Sequence, residues 1–96
     1  MHLLEELRRR REEILQTAAR HGAYNVRVFG SVATGEAGED SDIDFLVKFE
    51  AQRSLIDQAL LKQELEHLLG RRVDVVSEDG LYWLLRRRIL QEAVPL

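Results

Sequence analysis

Two aspartates one residue apart, Asp42 and Asp44, open the apolar run 43–49. Side chains alternate along an extended chain, so positions 42 and 44 point to the same side. Carboxylates held side by side repel one another unless a cation sits between them. Upstream, Gly30-Ser31 closes the apolar segment 26–29 at a point where a backbone can approach a phosphate closely. A third carboxylate, Asp74, interrupts the run Val73, Val75, Val76, where a charge is costly unless it is paired or metal-bound. Should its strand lie beside the one that Asp42 and Asp44 open, neighbouring chains are roughly 5 Å apart and all three carboxylates share a face. Such a set suits one or two Mg2+ ions, which prefer carboxylate oxygens together with substrate phosphates. The plainer reading of Asp74 is a strand-end residue paired with Arg71 or Arg72.

Two other phosphate and metal motifs fail on the residues that matter. Asp40, Asp42 and Asp44 imitate the first ligands of an EF-hand loop. The sixth position is Phe45 where the turn needs Gly, and the twelfth is Ala51 where a bidentate Glu belongs. Gly30 and Gly35 have P-loop spacing, but Glu36 stands where the phosphate-binding Lys would be.

The elements that must position these groups follow from periodicity. Residues 3–21 read as one amphipathic helix with Leu3, Leu7, Ile14, Leu15 and Ala18 on one face, stopped by Gly22. Residues 25–29 form a short β-branched strand, and 30–39 a loop or short helical turn. The strand over 43–49 is apolar almost throughout and belongs in the middle of the sheet. Ser54 and Asp57 are spaced as a capping box. The helix they start runs to Leu69, buries Leu55, Ile56, Ala59, Leu60 and Leu68, and ends at Gly70. A third strand covers 73–76. A last helix runs from Leu81 to about Glu92, with Leu84, Leu85 and Ile89 apolar and Pro95 beyond it. The order is that of a small α/β domain with helices covering a sheet.

Composition bounds the rest. Ninety-six residues, 45% hydrophobic and 32% charged, make one domain, residues 1–96, with one modest core. No cysteine is present, which removes disulfides and thiolate chemistry and fits a cytoplasmic location. The start has no apolar core of signal-peptide length, and no later run spans a bilayer. A net charge of −3 argues against broad nucleic-acid binding, which needs a basic footprint. A chain this short leaves any acceptor pocket shallow or shared with a partner.

Gly30-Ser31, ten residues, then Asp42-x-Asp44 resembles the signature of the DNA polymerase β-like nucleotidyltransferase superfamily. The surrounding text VRVFGSVATGEAGEDSDIDFLV is similar to that of its minimal nucleotidyltransferases. The resemblance extends over nearly the whole chain, with Asp74 matching the family's third carboxylate. It implies the polymerase β-like fold, a small mixed β-sheet covered by helices. It also implies binding of ATP with Mg2+, two ions by the family's pattern, and transfer of AMP to an acceptor hydroxyl with loss of pyrophosphate. On this resemblance Asp42 and Asp44 hold metal against the triphosphate. Asp74 helps to hold the second ion and serves as the base near the acceptor. Gly30 lets the main chain approach the β,γ-phosphates, and Ser31 donates hydrogen bonds to them. Ser31 also reads as a helix N-cap, and the two roles are compatible. The family further implies a HEPN-domain toxin as partner in a hetero-oligomer, neutralised by adding AMP to a tyrosine. An antitoxin that blocks its partner by contact alone stays open, because the family pattern GS-R-A-R-G is here interrupted by Val32 and Thr34.

The remaining polar signals have ordinary explanations. His2, His21 and His67 are scattered and read as solvated or structural. Arg8 to Arg11 and Arg86 to Arg88 read as solvated helix faces, although the first run could grip an acidic partner and the second could contact a partner or the triphosphate. Tyr82 and Trp83 suit core or interface packing better than stacking on a base.

Overall fold

The computed structural model of the chain describes residues 3–38 and 40–96; His2 and Glu39, part of the expectations above, lie outside them. The elements are α1 (Leu3–Arg9), α2 (Arg11–Arg20), β1 (Ala23–Phe29), α3 (Gly30–Thr34), β2 (Ile43–Phe49), α4 (Leu55–Leu69), β3 (Val73–Ser77), a 3-10 turn (Glu78–Gly80), α5 (Trp83–Glu92) and β4 (Val94–Pro95). The four strands form one mixed sheet in the order β3-β2-β1-β4, with β2 parallel to β3 and antiparallel to β1. The chain has a mixed α/β architecture, and β2 is an inner strand as its continuous apolar character requires.

Alternation along β2 divides its residues between two faces. Ile43, Phe45 and Val47 are almost fully buried and join Val28, Val73 and Val75 in the core. Leu7, Ile14 and Ala18 of the first two helices and Leu61 and Leu65 of α4 complete that core. The opposite face carries Asp44, Leu46 and Lys48 from β2, with Asp74 and Val76 beside them on β3. Arg27 and Phe29 lie alongside on β1. Helices α1, α2 and α4 thus cover one face, and the other bears the polar groups together with the fully buried Leu46.

Several local expectations change in the folded chain. The helix expected over 3–21 is two helices, broken at Arg10 (φ −102°, ψ 19°). The Arg10 side chain leaves the helical path to donate to the Leu68 carbonyl at 2.9 Å, and Arg8 donates to the Pro95 carbonyl at 3.0 Å. Two members of the Arg run therefore tie the first helices to the body. β1 starts two residues earlier than expected, with a register shift between Tyr24 and Arg27 at Asn25, which has φ 51°. Such an irregularity re-aims the strand.

The capping box at Ser54 and Asp57 forms, and Gly70 ends α4 in the left-handed conformation, both as expected. The buried face of α4 is a different one. Leu55, Ile56, Ala59 and Leu60 are exposed and Leu68 is half-buried, whereas Leu61 and Leu65 are buried. The helix carries apolar residues on more than one side, so its periodicity leaves two stripes open and packing against β3 selects between them. The last helix begins at Trp83 and buries no residue; Tyr82, Trp83, Leu84 and Leu85 are all exposed, so core packing is overturned for the two aromatics. Val94 and Pro95 form a short edge strand against β1, the position in a sheet where a residue lacking an N–H is tolerated.

Candidate active site

The site is assembled where β1 ends and β2 and β3 begin. Asp44 and Asp74 are direct partners across the parallel β2–β3 ladder, and partners in register project to the same face. Asp42 lies two residues before Asp44, just ahead of β2. On the other flank Asp44 is the partner of Phe29, and the next residue, Gly30, starts α3. The two halves of the sequence signature therefore meet through sheet pairing, with Asp44 between the Gly30-Ser31 turn and Asp74.

Gly30 has φ 69°, a left-handed conformation that favours glycine. A Cβ at this position would collide with Asp44 Oδ2. The missing side chain lets a carboxylate lie against the turn, in addition to any approach of a phosphate. Ser31 is the second residue of α3 and not its cap; Phe29 occupies the N-cap position, and no side chain caps the helix. Val32 is buried in the core, and Thr34 is exposed with its hydroxyl donating to the Ser31 carbonyl at 3.4 Å. At position 32 a side chain points into the protein, so the departure from the family pattern is one of packing there and of charge at position 34.

The electrostatics centre on Asp44. Burial is the largest cause of its carboxyl lying above the ordinary value, and the nearby charges of Asp74 and then Asp42 add to it. Both influences disfavour the ionised form. Asp74 itself is exposed, so the desolvation cost expected for it from the apolar run does not arise: its face of β3 is open. Nor does it pair with Arg72. Arg72 Nε lies 3.0 Å from Asp42 Oδ1, and Arg72 Nη2 donates to the Asp40 carbonyl at 3.3 Å. The Asp42 oxygen is sheltered from solvent yet accepts no hydrogen bond from the described residues; its contact with Arg72 is one of charge.

Oxygen donors of this kind match the chemistry of Mg2+, and an unsatisfied carboxylate oxygen beside a repelled pair is the environment that a hard cation relieves. Among the described residues no three such side chains converge closely enough to enclose a metal as they stand; the Asp42 carboxylate is engaged with Arg72 while Asp44 faces Gly30 and Asp74. Of the expected site residues, Gly30, Ser31, Asp42, Asp44 and Asp74 are thus neighbours at one end of the sheet. Arg72 was expected there only as a partner for Asp74. Its spacing of two from Asp74, mirroring that of Asp42 from Asp44, is the signal that links it to Asp42 once the strands are known to be parallel.

Further along the same face, Glu78 gathers three cations. Arg27 Nη2 lies 2.6 Å from Oε1, Arg86 Nη2 3.4 Å and Lys48 Nζ 4.0 Å from Oε2. The Arg27 contact is the main cause of the Glu78 carboxyl lying below its ordinary value, against the opposing effect of burial, with Lys48 and Arg86 adding to it. His21 is structural, its Nε2 3.1 Å from Glu64 Oε2, and His67 is exposed. No helix among the described residues is long and apolar enough to cross a membrane.

Comparison with known proteins bears on the family and the fold. The family model described as a nucleotidyltransferase domain matches residues 4–96. The protein adenylyltransferase MntA of Thermococcus cleftensis is 45% identical over 75 residues, spanning 78% of this chain and 76% of that protein. A solved structure assigned as a minimal nucleotidyltransferase superposes with a TM-score of 0.86 at 63% identity, covering 97% of this chain and 95% of its own. A toxin–antitoxin structure with AMP-PNP shares the fold, with a TM-score of 0.77 at 22% identity over 88% of this chain and 69% of that one.

Proposed function

The chain belongs to the nucleotidyltransferase domain family, and from that premise we propose that it transfers AMP from ATP to a tyrosine hydroxyl of a partner protein, a HEPN-domain toxin, and so acts as its antitoxin in the cytoplasm. Residues 1–96 act as a single minimal domain, and the partner's surface delivers the acceptor in a hetero-oligomer. The observation that carries this reading is the in-register pair Asp44 and Asp74 beside the Gly30-Ser31 turn. The relative named as a protein adenylyltransferase and the toxin–antitoxin fold neighbour with AMP-PNP support the choice of ATP and of a protein acceptor.

In this reaction the acceptor oxygen attacks the α-phosphorus, the bond to the β-phosphate oxygen breaks, and pyrophosphate leaves. Gly30 keeps the turn free of side-chain bulk, and the Ser31 hydroxyl donates to the β,γ-phosphates. Asp42, Asp44 and Asp74 would hold Mg2+, two ions in the full site; the metal supplies charge neutralisation for the triphosphate and the departing pyrophosphate. Asp74, exposed at the rim of the sheet, takes the proton from the acceptor hydroxyl. Phosphoryl transfer depends mainly on positioning and charge stabilisation, and these residues contribute both.

The test is to establish whether the neighbouring gene encodes a HEPN-domain protein, to co-express that protein with the chain, and to analyse it by mass spectrometry. Addition of AMP to a tyrosine is expected with the wild type, and its loss with the Asp42→Asn/Asp44→Asn variant. Unchanged modification by that variant sinks the proposal. A second reading, neutralisation by contact alone, draws on Val32 and Thr34, neither of which offers a cation to the triphosphate. On that reading the double variant still suppresses the toxin, and the partner carries no AMP.

A further inference from the structure

The parallel register of β2 and β3 places Ile43 beside Val73 and Asp44 beside Asp74. One step earlier on both chains stand Asp42 and Arg72, and the Ile43 N–H donates to the Arg72 carbonyl at 3.0 Å, which holds the two approaches together. Four side chains thus occupy the corners of one quadrilateral: Asp42 and Asp44 along one edge, Arg72 and Asp74 along the other. Three corners are carboxylates and the fourth is a guanidinium.

We propose that Arg72 is a built-in counter-cation that competes with the divalent metal for Asp42, and so sets how strongly the site takes metal. Its Nε lies 3.0 Å from Asp42 Oδ1, while the Arg72 side chain is 75% exposed. It is therefore held at the guanidinium end by charge and by the Asp40 carbonyl, with little packing to prevent its departure. The Asp42 oxygen it faces accepts no hydrogen bond from the described residues, so leaving breaks no aligned bond to that oxygen. An exposed ion pair of this kind is weak, as a displaceable occupant must be. A cation entering between Asp42 and Asp44 meets the same oxygen that Arg72 neutralises, and the two cannot be served equally. Arg72 acts through Asp42, as a positioning residue.

The inference rests on the proposal that these aspartates bind metal, and the experiment separates the two. Mn2+ alone is titrated by electron paramagnetic resonance into the wild-type chain, Arg72→Gln and Arg72→Lys. Removal of the resident charge in Arg72→Gln is expected to tighten Mn2+ binding by about two- to five-fold, the scale of an exposed ion pair. Arg72→Lys keeps the charge and stays near the wild type. The gain disappears in Arg72→Gln/Asp42→Asn, which removes the contested carboxylate charge. Equal or weaker binding by Arg72→Gln, with the wild type binding Mn2+, overturns the competition and leaves the metal assignment standing. Absence of Mn2+ binding in both the wild type and Arg72→Gln overturns the two together. Circular dichroism melts of each variant confirm that the comparison is between folded chains.

Discussion

At the scale of single residues, Asp44 combines two unfavourable circumstances: it is half-buried, and it faces other carboxylates. Its raised pKa has a definite consequence for stability. Below the unfolded-state pKa the carboxyl is protonated in both states and the fold bears no charge penalty there; as pH rises through the folded pKa that advantage is lost. Asp44→Asn, equal in size and uncharged, should therefore melt at a higher temperature than the wild type at neutral pH. The difference should shrink to nothing in acid, as calorimetry across that range can show. A stability gain at the expense of activity is the usual mark of a functional site. Gly30 offers the opposite case. Gly30→Ala places a Cβ in the left-handed region and against Asp44 Oδ2, and should cost about 1–2 kcal/mol of unfolding free energy in urea titration from the backbone alone.

At the scale of elements, α4 is the clearest instance of local signals leaving a question that packing answers. Its ends are stated by the chain: Ser54 accepts from the Ile56 N–H, Asp57 accepts from the Ser54 N–H, and Gly70 closes the helix at φ 65°. Its buried face is not, because Leu55, Ile56 and Leu60 offer an apolar surface that rivals Leu61, Leu65 and Leu68. Leu61→Ala should cost about 2–5 kcal/mol, the range for a fully buried leucine, while the neighbouring Leu60→Ala, 44% exposed, should change stability by less than about 1 kcal/mol. Chemical denaturation of the two variants side by side checks the assignment. The strands were more legible. The span of β2 follows from its apolar run, and the central position follows from its having no polar face except at Asp44 and Lys48. β4 was not legible, since two residues provide no alternation and Pro95 argues against a strand until an edge is available.

At the scale of the molecule, the polar face of the sheet has two poles. Carboxylates gather at the start of β2 and β3, and Arg27, Lys48 and Arg86 gather on Glu78. The second pole joins the C-terminal helix to the sheet: Arg86 also donates to the Glu78 carbonyl at 2.8 Å, and α5 buries no residue of its own. Glu78 is held below its ordinary pKa, so its contribution is present above the unfolded-state value and lost as pH falls through the folded one. Glu78→Gln should destabilise the chain by about 1.5–3 kcal/mol at neutral pH, the range for a hydrogen bond to a charged group. The gap should close in acid, in melts followed by circular dichroism. Amide hydrogen exchange in α5 should rise in the variant before it rises in β2, because the helix depends on this contact and the strand on the core.

The sequence by itself determined what depends on near neighbours along the chain: the period of the strands, the start and stop of α4, the glycine at the turn after β1, and the acidic residues at a spacing that places two on one side. It also carried enough of the family's signature, in Gly30-Ser31 and Asp42-x-Asp44, to identify the family. Only the tertiary structure decided which strands lie together and in what register, and with that came the pairing of Asp44 with Asp74 and of Arg72 with Asp42. The physical reason is that periodicity assigns a residue to a face without saying what that face meets. A sheet partner thirty residues away changes the charge, exposure and contacts of Asp44, Asp74 and Arg72 without altering anything that their immediate neighbours reveal.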